Sequence, residues 1–240
     1  MKTYRYDLHI HSCLSPCGDD EMTPATIAGL AALGGLDIAA LTDHNTCGNC
    51  AAFLRACEAY GVVGIPGMEL TTAEDVHLLC LFSELSDAEA FSEAVAAQRV
   101  RIANRPDIFG HQYYMNEDDG ITGEEPDLLI NATELFLSDA ASLVRAFHGV
   151  PVPAHADKAS NGIIAMLGAL PADCGFKTVE YTAEYAPDAP GAEGLFRICD
   201  SDAHYPQDIR DGESASFMRL PGETPEEIRM ALLRRLEEGK

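Results

Sequence analysis

Histidines and carboxylates recur along this chain in short motifs. His9-Ile10-His11 sets two imidazoles two residues apart, and Asp202-Ala203-His204 repeats that spacing far down the chain. Between them stand Thr42-Asp43-His44, Gly67-Met68-Glu69, His77 and His155. Side chains two residues apart on a strand share one face, so His9 and His11 can reach a single ion. Six of the eight histidines belong to this set, and only His111 and His148 stand outside it. A neutral core has no use for so many polar side chains, because each buried polar group needs a partner. A cluster of metal ions supplies that partner. A nitrogen and oxygen donor set without sulfur suits zinc, manganese or iron.

The elements that must carry these residues can be read from periodicity and caps. Residues 6–11 alternate as a strand. Thr23 and Pro24 open a helix over 25–33 that stops at Gly34-Gly35. Strands follow at 36–41, 62–66 and 76–82, with a helix over 49–60 between the first two. The middle differs: a helix over 87–103 stopped at Arg105-Pro106, a hairpin over 109–127 turning at Asp118-Asp119-Gly120, and a helix over 139–147. Alternation resumes with a strand at 151–155, a short helix at 163–167, and strands at 178–181, 195–199 and 214–220. Thr224, Pro225 and Glu227 then start a last helix through residue 236. Strand–helix alternation predicts an α/β parallel sheet or barrel. The histidines and carboxylates cluster at strand ends, where α/β barrels build their sites. The expected organisation is a barrel domain over 1–220, interrupted by a helix-and-hairpin insertion at 84–150, with a carboxyl-terminal helix over 221–240 packed on the barrel.

Thirty-nine acids against sixteen bases give a formal charge of −23, which repels long polyanions. Glu117 to Asp127 holds six acids and no base, so the hairpin tip is expected in solvent. No apolar stretch approaches the length of a membrane span, and the first residues lack the apolar core of a signal peptide; a cytoplasmic location is expected. Eight cysteines then read as reduced thiols. Cys13-x-x-x-Cys17 and Cys47-x-x-Cys50 could hold a zinc ion between them, but no histidine completes the set at finger spacing, and packing is the expected role.

His9-Ile10-His11-Ser12, Thr42-Asp43-His44, Gly67-Met68-Glu69 and Ser201-Asp202-Ala203-His204 resemble, in order, the four motifs of the polymerase-and-histidinol-phosphatase (PHP) superfamily, over about residues 4–206. The resemblance is to its small stand-alone metal-dependent phosphoesterases. It implies a distorted (β/α)7 barrel with a trinuclear metal site that hydrolyses phosphate esters. One metal would take His9, His11, Glu69 and Asp202. Glu69 would bridge to a second held by His77 and His155, and a third would take Asp19, His44 and His204. Asp20 competes with Asp19 for that place. Glu69, Asp202 and His204 would stand closest to the reaction. Asp7 and Asp43 can orient imidazoles by accepting their other N–H, although Asp43 also reads as a turn residue. Lys158 could meet a substrate phosphate or lie in solvent. Arg197, unusual in an apolar run, reads as a phosphate clamp or a buried salt bridge.

The expected activity is hydrolysis of a small phosphate ester by metal-activated water, the substrate being a mononucleotide, a short oligonucleotide or a phosphorylated metabolite. Two or three divalent ions would be the cofactors, and neither long nucleic acid nor membrane a partner. A histidinol-phosphate phosphatase is the alternative within this chemistry. A metal-binding sensor without catalysis is the alternative outside it.

Overall fold

The structure, a computed structural model, describes residues 1–183 and 186–240. Strand β1 (Lys2–Ile10) leads through a long loop to helix α1 (Pro24–Gly34). Thr23 caps that helix by accepting from the Thr26 N–H at 3.2 Å. Gly35, at φ +75°, ends it in the left-handed conformation that glycine adopts without a Cβ clash. Strand β2 (Ile38–Leu41), helix α2 (Cys50–Tyr60), and strands β3 (Val63–Thr71) and β4 (His77–Leu81) follow. Every residue of β2, β3 and β4 is buried, as for strands covered on both faces.

Between β4 and strand β7 (Val150–Pro153) lie helices α3 (Leu85–Ala96), α4 (Pro106–Phe109) and α5 (Leu137–Ala146), with the hairpin β5 (Tyr113–Met115) and β6 (Ile121–Glu124). Helix α3 ends earlier than its sequence predicts. The chain beyond it pairs instead with 126–133, through Leu128 N–H to Ile102 O at 2.7 Å and Asn104 N–H to Pro126 O at 2.8 Å. Tertiary pairing there outweighs helix propensity. Nor is the hairpin tip simply solvated. Asp119 accepts from the Ala25 N–H at the start of α1 at 3.2 Å, and Glu117 meets Arg55 at 3.2 Å. The chain closes with α6 (Ile163–Leu167), β8 (Thr178–Tyr181), β9 (Phe196–Cys199), β10 (Ser216–Leu220) and α7 (Pro225–Glu238), the last opened by a capping box between Thr224 and Glu227.

The main sheet runs β10-β1-β2-β3-β4-β7, and β8 pairs with β9. Backbone bonds join the two pieces. Ala156 N–H donates to Glu180 O at 2.9 Å on one side; on the other, His11 N–H donates to Ala203 O at 2.9 Å and Ala203 N–H to His9 O at 3.2 Å. Seven strands, β1, β2, β3, β4, β7, β8 and β9, thus follow one another in a curled α/β barrel, with β10 added beside the first half of β1. The barrel is distorted because it is not all parallel. β1, β2 and β3 run parallel, but β4 is antiparallel to both β3 and β7. Only residues 72–76 link β3 to β4, too few for the crossover a parallel pair requires.

Two apolar clusters flank the sheet. One joins Ile10, Ala39, Leu41, Met68 and Leu78 to the inner faces of α1, α2, α3 and α5. The other joins Leu8, Ile38, Ile65, Leu79 and Val152 to Ile228, Leu232, Leu233 and Leu236 of α7. These clusters hold the strands rigid on both sides. No helix among the described residues is long and apolar enough to cross a membrane.

Candidate metal centre

The strands deliver the polar residues to one place. His9 and His11 come from the end of β1, His44 from just beyond β2, Glu69 from β3 and His77 from the first residue of β4. His155 lies just beyond β7, and Asp202 and His204 just beyond β9. Five imidazoles converge on the buried Glu69 carboxylate. Its Oε1 lies 3.2 Å from His9 Nε2, 2.9 Å from His77 Nδ1 and 3.0 Å from His155 Nε2. Its Oε2 lies 3.3 Å from His11 Nε2 and 3.1 Å from His44 Nδ1. Asp202 Oδ1 stands 3.2 Å from His9 Nε2 and 3.3 Å from His11 Nε2.

These separations suit a shared cation. Zinc binds nitrogen and oxygen at about 2.0–2.2 Å, which sets neighbouring donors around one ion roughly 3–3.5 Å apart. The donors fall into three groups that could each hold an ion: His9, His11, Glu69 and Asp202; His44, Glu69 and His77; and His11, His44 and His204. The cluster could therefore hold several metal ions. His155 Nε2, 3.3 Å from His77 Nδ1, lies beside the second group.

Outer partners fix which ring nitrogen faces inward. Glu180 accepts from His9 Nδ1, with its two oxygens at 3.0 and 3.1 Å. Ser15 donates its hydroxyl proton to Asp43 at 2.7 Å, so its oxygen accepts from His11 Nδ1 at 3.0 Å. His204 Nδ1 donates to the Asp202 carbonyl at 2.8 Å. The Nε2 atoms of His9 and His11 are thus left facing each other at 3.1 Å, two lone pairs that repel unless a positive charge lies between them. Among the described residues, buried His44 Nδ1 and Asp202 Oδ1 have no hydrogen-bond partner. Such atoms are costly in a fold that offers them no cation.

Titration follows from the same arrangement. Burial disfavours the His9 imidazolium, but Glu180, Asp202 and Glu69 outweigh it and hold the pKa well above the ordinary value. Burial likewise opposes charge on His11, and the neighbouring carboxylates of Asp202 and Glu69 raise it. Burial would lift the Glu69 carboxyl, but His77, His9 and His44 pull it well below the usual range; His9 and His11 do the same for Asp202. Burial and the neighbouring His11 lower His44 well below its usual value and His204 to about 4. Two of the residues also have strained backbones: His155 sits at φ +29° and Asp202 at φ +53°. Strain of this kind persists only where the surroundings enforce it, and it concentrates at functional sites.

Other residues singled out from the sequence lie differently. The Asp19 carboxylate is turned into its own loop, accepting from the Glu21 N–H at 2.8 Å, and Asp20 is exposed. Neither joins the three donor groups. Asp7 accepts from the Ser201 N–H at 3.0 Å rather than from an imidazole, because its strand position points it at the corner before Asp202. Asp43 accepts from Ser12 and Ser15 and so acts on His11 through a hydroxyl. Lys158, three residues past His155, forms an ion pair with the Asp202 carboxylate. Arg197 lies over the Tyr181 ring, 3.8 Å from its centroid, and meets Asp188 at 2.7 Å, contacts outside the donor groups. Cys47 and Cys50 donate to the Gly67 carbonyl at 3.2 and 3.4 Å, as packed thiols do. Sequence reasoning missed Glu180 and Ser15.

Residues 7–144 match the family profile of the PHP domain. No curated protein matches the sequence. Among solved structures, the lesion-specific endonuclease PfuEndoQ from Pyrococcus furiosus is similar, with a TM-score of 0.69 and 20% identity over 98% of this chain. An Endonuclease Q bound to a 27-mer duplex with an abasic lesion gives a TM-score of 0.68 and 21% identity over 96% of this chain. In both cases the match covers 56% of the other protein, so this chain spans little more than half the length of those endonucleases. A candidate metal-dependent phosphoesterase from Bifidobacterium adolescentis gives a TM-score of 0.58 and 19% identity, over 88% of this chain and 92% of its own.

Proposed function

Because the chain belongs to the PHP domain family, we propose that it is a metal-dependent hydrolase of phosphoester bonds whose substrate is a small phosphate ester: a mononucleotide, a short oligonucleotide or a phosphorylated metabolite. The observation that carries this reading is the convergence of five buried imidazoles on Glu69. Two or three divalent ions, of zinc, manganese or iron, would be held by His9, His11, Glu69 and Asp202, by Glu69, His77 and His155, and by His44 and His204, with Asp19 as the candidate for a further ligand. When bound, these ions supply an activated water and offset the charge that builds on the phosphate.

The chain's own residues do the rest. Glu180, the Ser15–Asp43 pair and the Asp202 carbonyl hold protons on the outer ring nitrogens and aim the inner ones at the centre. His204, with its pKa lowered to about 4, is neutral at pH 7, the form that ligates. Lys158, paired with the Asp202 carboxylate at the edge of the centre, would be the ammonium within reach of a substrate phosphate oxygen.

The overlap with the two endonucleases across nearly the whole chain favours a second reading, cleavage of DNA at a lesion. The charge of −23 weighs against an extended polyanion. A panel assay separates the two. Protein loaded with Mn2+ or Zn2+ is offered nucleoside monophosphates, dinucleotides, sugar phosphates, histidinol phosphate and a duplex carrying an abasic site. Turnover of small esters that a chelator abolishes is the expected result. Cleavage confined to the duplex would replace this reading with the second. Turnover of histidinol phosphate alone would narrow it to that phosphatase. A loaded protein that hydrolyses nothing would be a metal-binding module without catalysis.

A further inference from the structure

Glu180 lies at the middle of β8, 2% exposed, between Val179 and Tyr181. Its carboxylate holds two separate parts of the centre. Both oxygens lie on His9 Nδ1, at 3.0 and 3.1 Å, and Oε2 also accepts the His155 backbone N–H at 2.7 Å. The Glu180 main-chain carbonyl takes the next donor, the Ala156 N–H, at 2.9 Å. One residue thus fixes an imidazole on β1 and the corner after β7 at once. That corner carries His155 at φ +29°, a conformation that histidine does not adopt without enforcement. The rings of His9 and His155 lie parallel, with centroids 5.8 Å apart, and both reach Glu69 Oε1.

We infer that Glu180 is a positioning residue that couples two neighbouring metal positions, the one taken by His9 and the one taken by His155. The inference rests on the metal-centre reading above. A carboxylate on the outer nitrogen fixes the tautomer of a ligating imidazole and raises its basicity; the same carboxylate here holds the backbone of the second ligand in place. Ligand geometry at one position is therefore not independent of the other. Glutamine in its place could accept from one of the two donors while its amide NH2 faces the other.

The test needs only the metal. Metal-stripped native protein, Glu180→Ala and Glu180→Gln are titrated with Mn2+ in the absence of substrate, and stoichiometry and affinity are read for each ion. Thermal unfolding of each metal-free protein reports folding separately. The expected result is a loss of about 10- to 100-fold in affinity at two ions in Glu180→Ala, and a smaller loss at both in Glu180→Gln. If Glu180→Ala does not fold, the isosteric Glu180→Gln carries the measurement alone. A purely structural role would lower the unfolding temperature and leave both affinities within twofold of native, and that overturns the inference. So does a loss confined to one ion. Native protein that binds no Mn2+ would instead overturn the metal-centre reading itself.

Discussion

The carboxylates around His9 and His11 favour a proton where the geometry asks for metal. They raise both imidazoles, His9 well above its ordinary value, so a proton on this pair competes with metal. Metal must displace it, whereas His44 and His204, lowered by burial and by His11, are already neutral. Metal binding at pH 7 should therefore release at least one proton per chain, and affinity should fall as pH falls, by about tenfold per pH unit for each proton displaced. Calorimetric titration in buffers of different ionisation enthalpy measures the count; binding without proton release would contradict the assignment. Glu69→Gln keeps the shape and removes the charge on which five imidazoles converge. Activity should fall by at least about 100-fold, with loss of bound metal detected by elemental analysis. Cys47→Ser with Cys50→Ser should change neither metal content nor turnover. Burial and the Cys50 thiol push Cys47 well above the usual thiol range, so Cys47 is not poised as a thiolate. The histidines were legible because they stand at or near the ends of apolar runs, in short motifs with carboxylates. Glu180 was not, because a lone acid inside a four-residue strand carries no signal of which way it points. For Arg197 the sequence left a phosphate clamp and a salt bridge open, because Tyr181 and Asp188, which it meets, lie in a neighbouring strand and a loop whose fold the sequence does not specify.

At the scale of elements, the segment between β4 and β7 does more than cover a surface. Its strand β5 lies on the loop that follows β1, through Tyr113 N–H to Cys13 O at 2.9 Å. Asn49 reaches across to the Tyr113 carbonyl at 3.0 Å and also bonds Ser12. Gly110, at φ +96°, makes this approach possible: a Cβ there would stand 2.2 Å from the Pro16 carbonyl oxygen. Gly110→Ala should therefore destabilise the protein by roughly 1–3 kcal/mol, read as a shift of the urea midpoint without change in slope. An unchanged midpoint would mean that the hairpin does not bear on that loop. Most strands and helices could be read from alternation and caps, α1 and α7 most sharply, because Thr-Pro openings are local signals. Strand direction could not. The reversal at β4 follows from the short link over 72–76, and the place of β7 beside β4 is set by packing across the long segment between them, which local patterns do not span.

For the whole molecule, the charge of −23 sets two fields against each other. Bound ions attract phosphate at short range, but beyond about 8–10 Å at physiological salt that attraction is screened. A long strand must lay its remaining phosphates across a surface rich in Asp and Glu, with few Lys or Arg to release its counterions. A 20-mer should therefore turn over more slowly than a dinucleotide, and the gap should narrow as salt rises. Equal rates at low salt would require a basic groove and would favour the endonuclease-like reading.

The closure of the barrel has a temporal side. His9 and His11 sit on β1, yet Asp202 and His204 complete their surroundings, and β1 itself is zipped between β2, β10 and the segment at Ala203. On the ribosome the first two histidines emerge long before their partners do. At about 5–20 residues per second, the wait is on the order of 10–40 s. A nascent chain in that interval presents imidazoles and thiols without the cage that selects among ions. Any metal it captures early is held by an incomplete set, and the native complement can be chosen only after the carboxyl-terminal strands arrive.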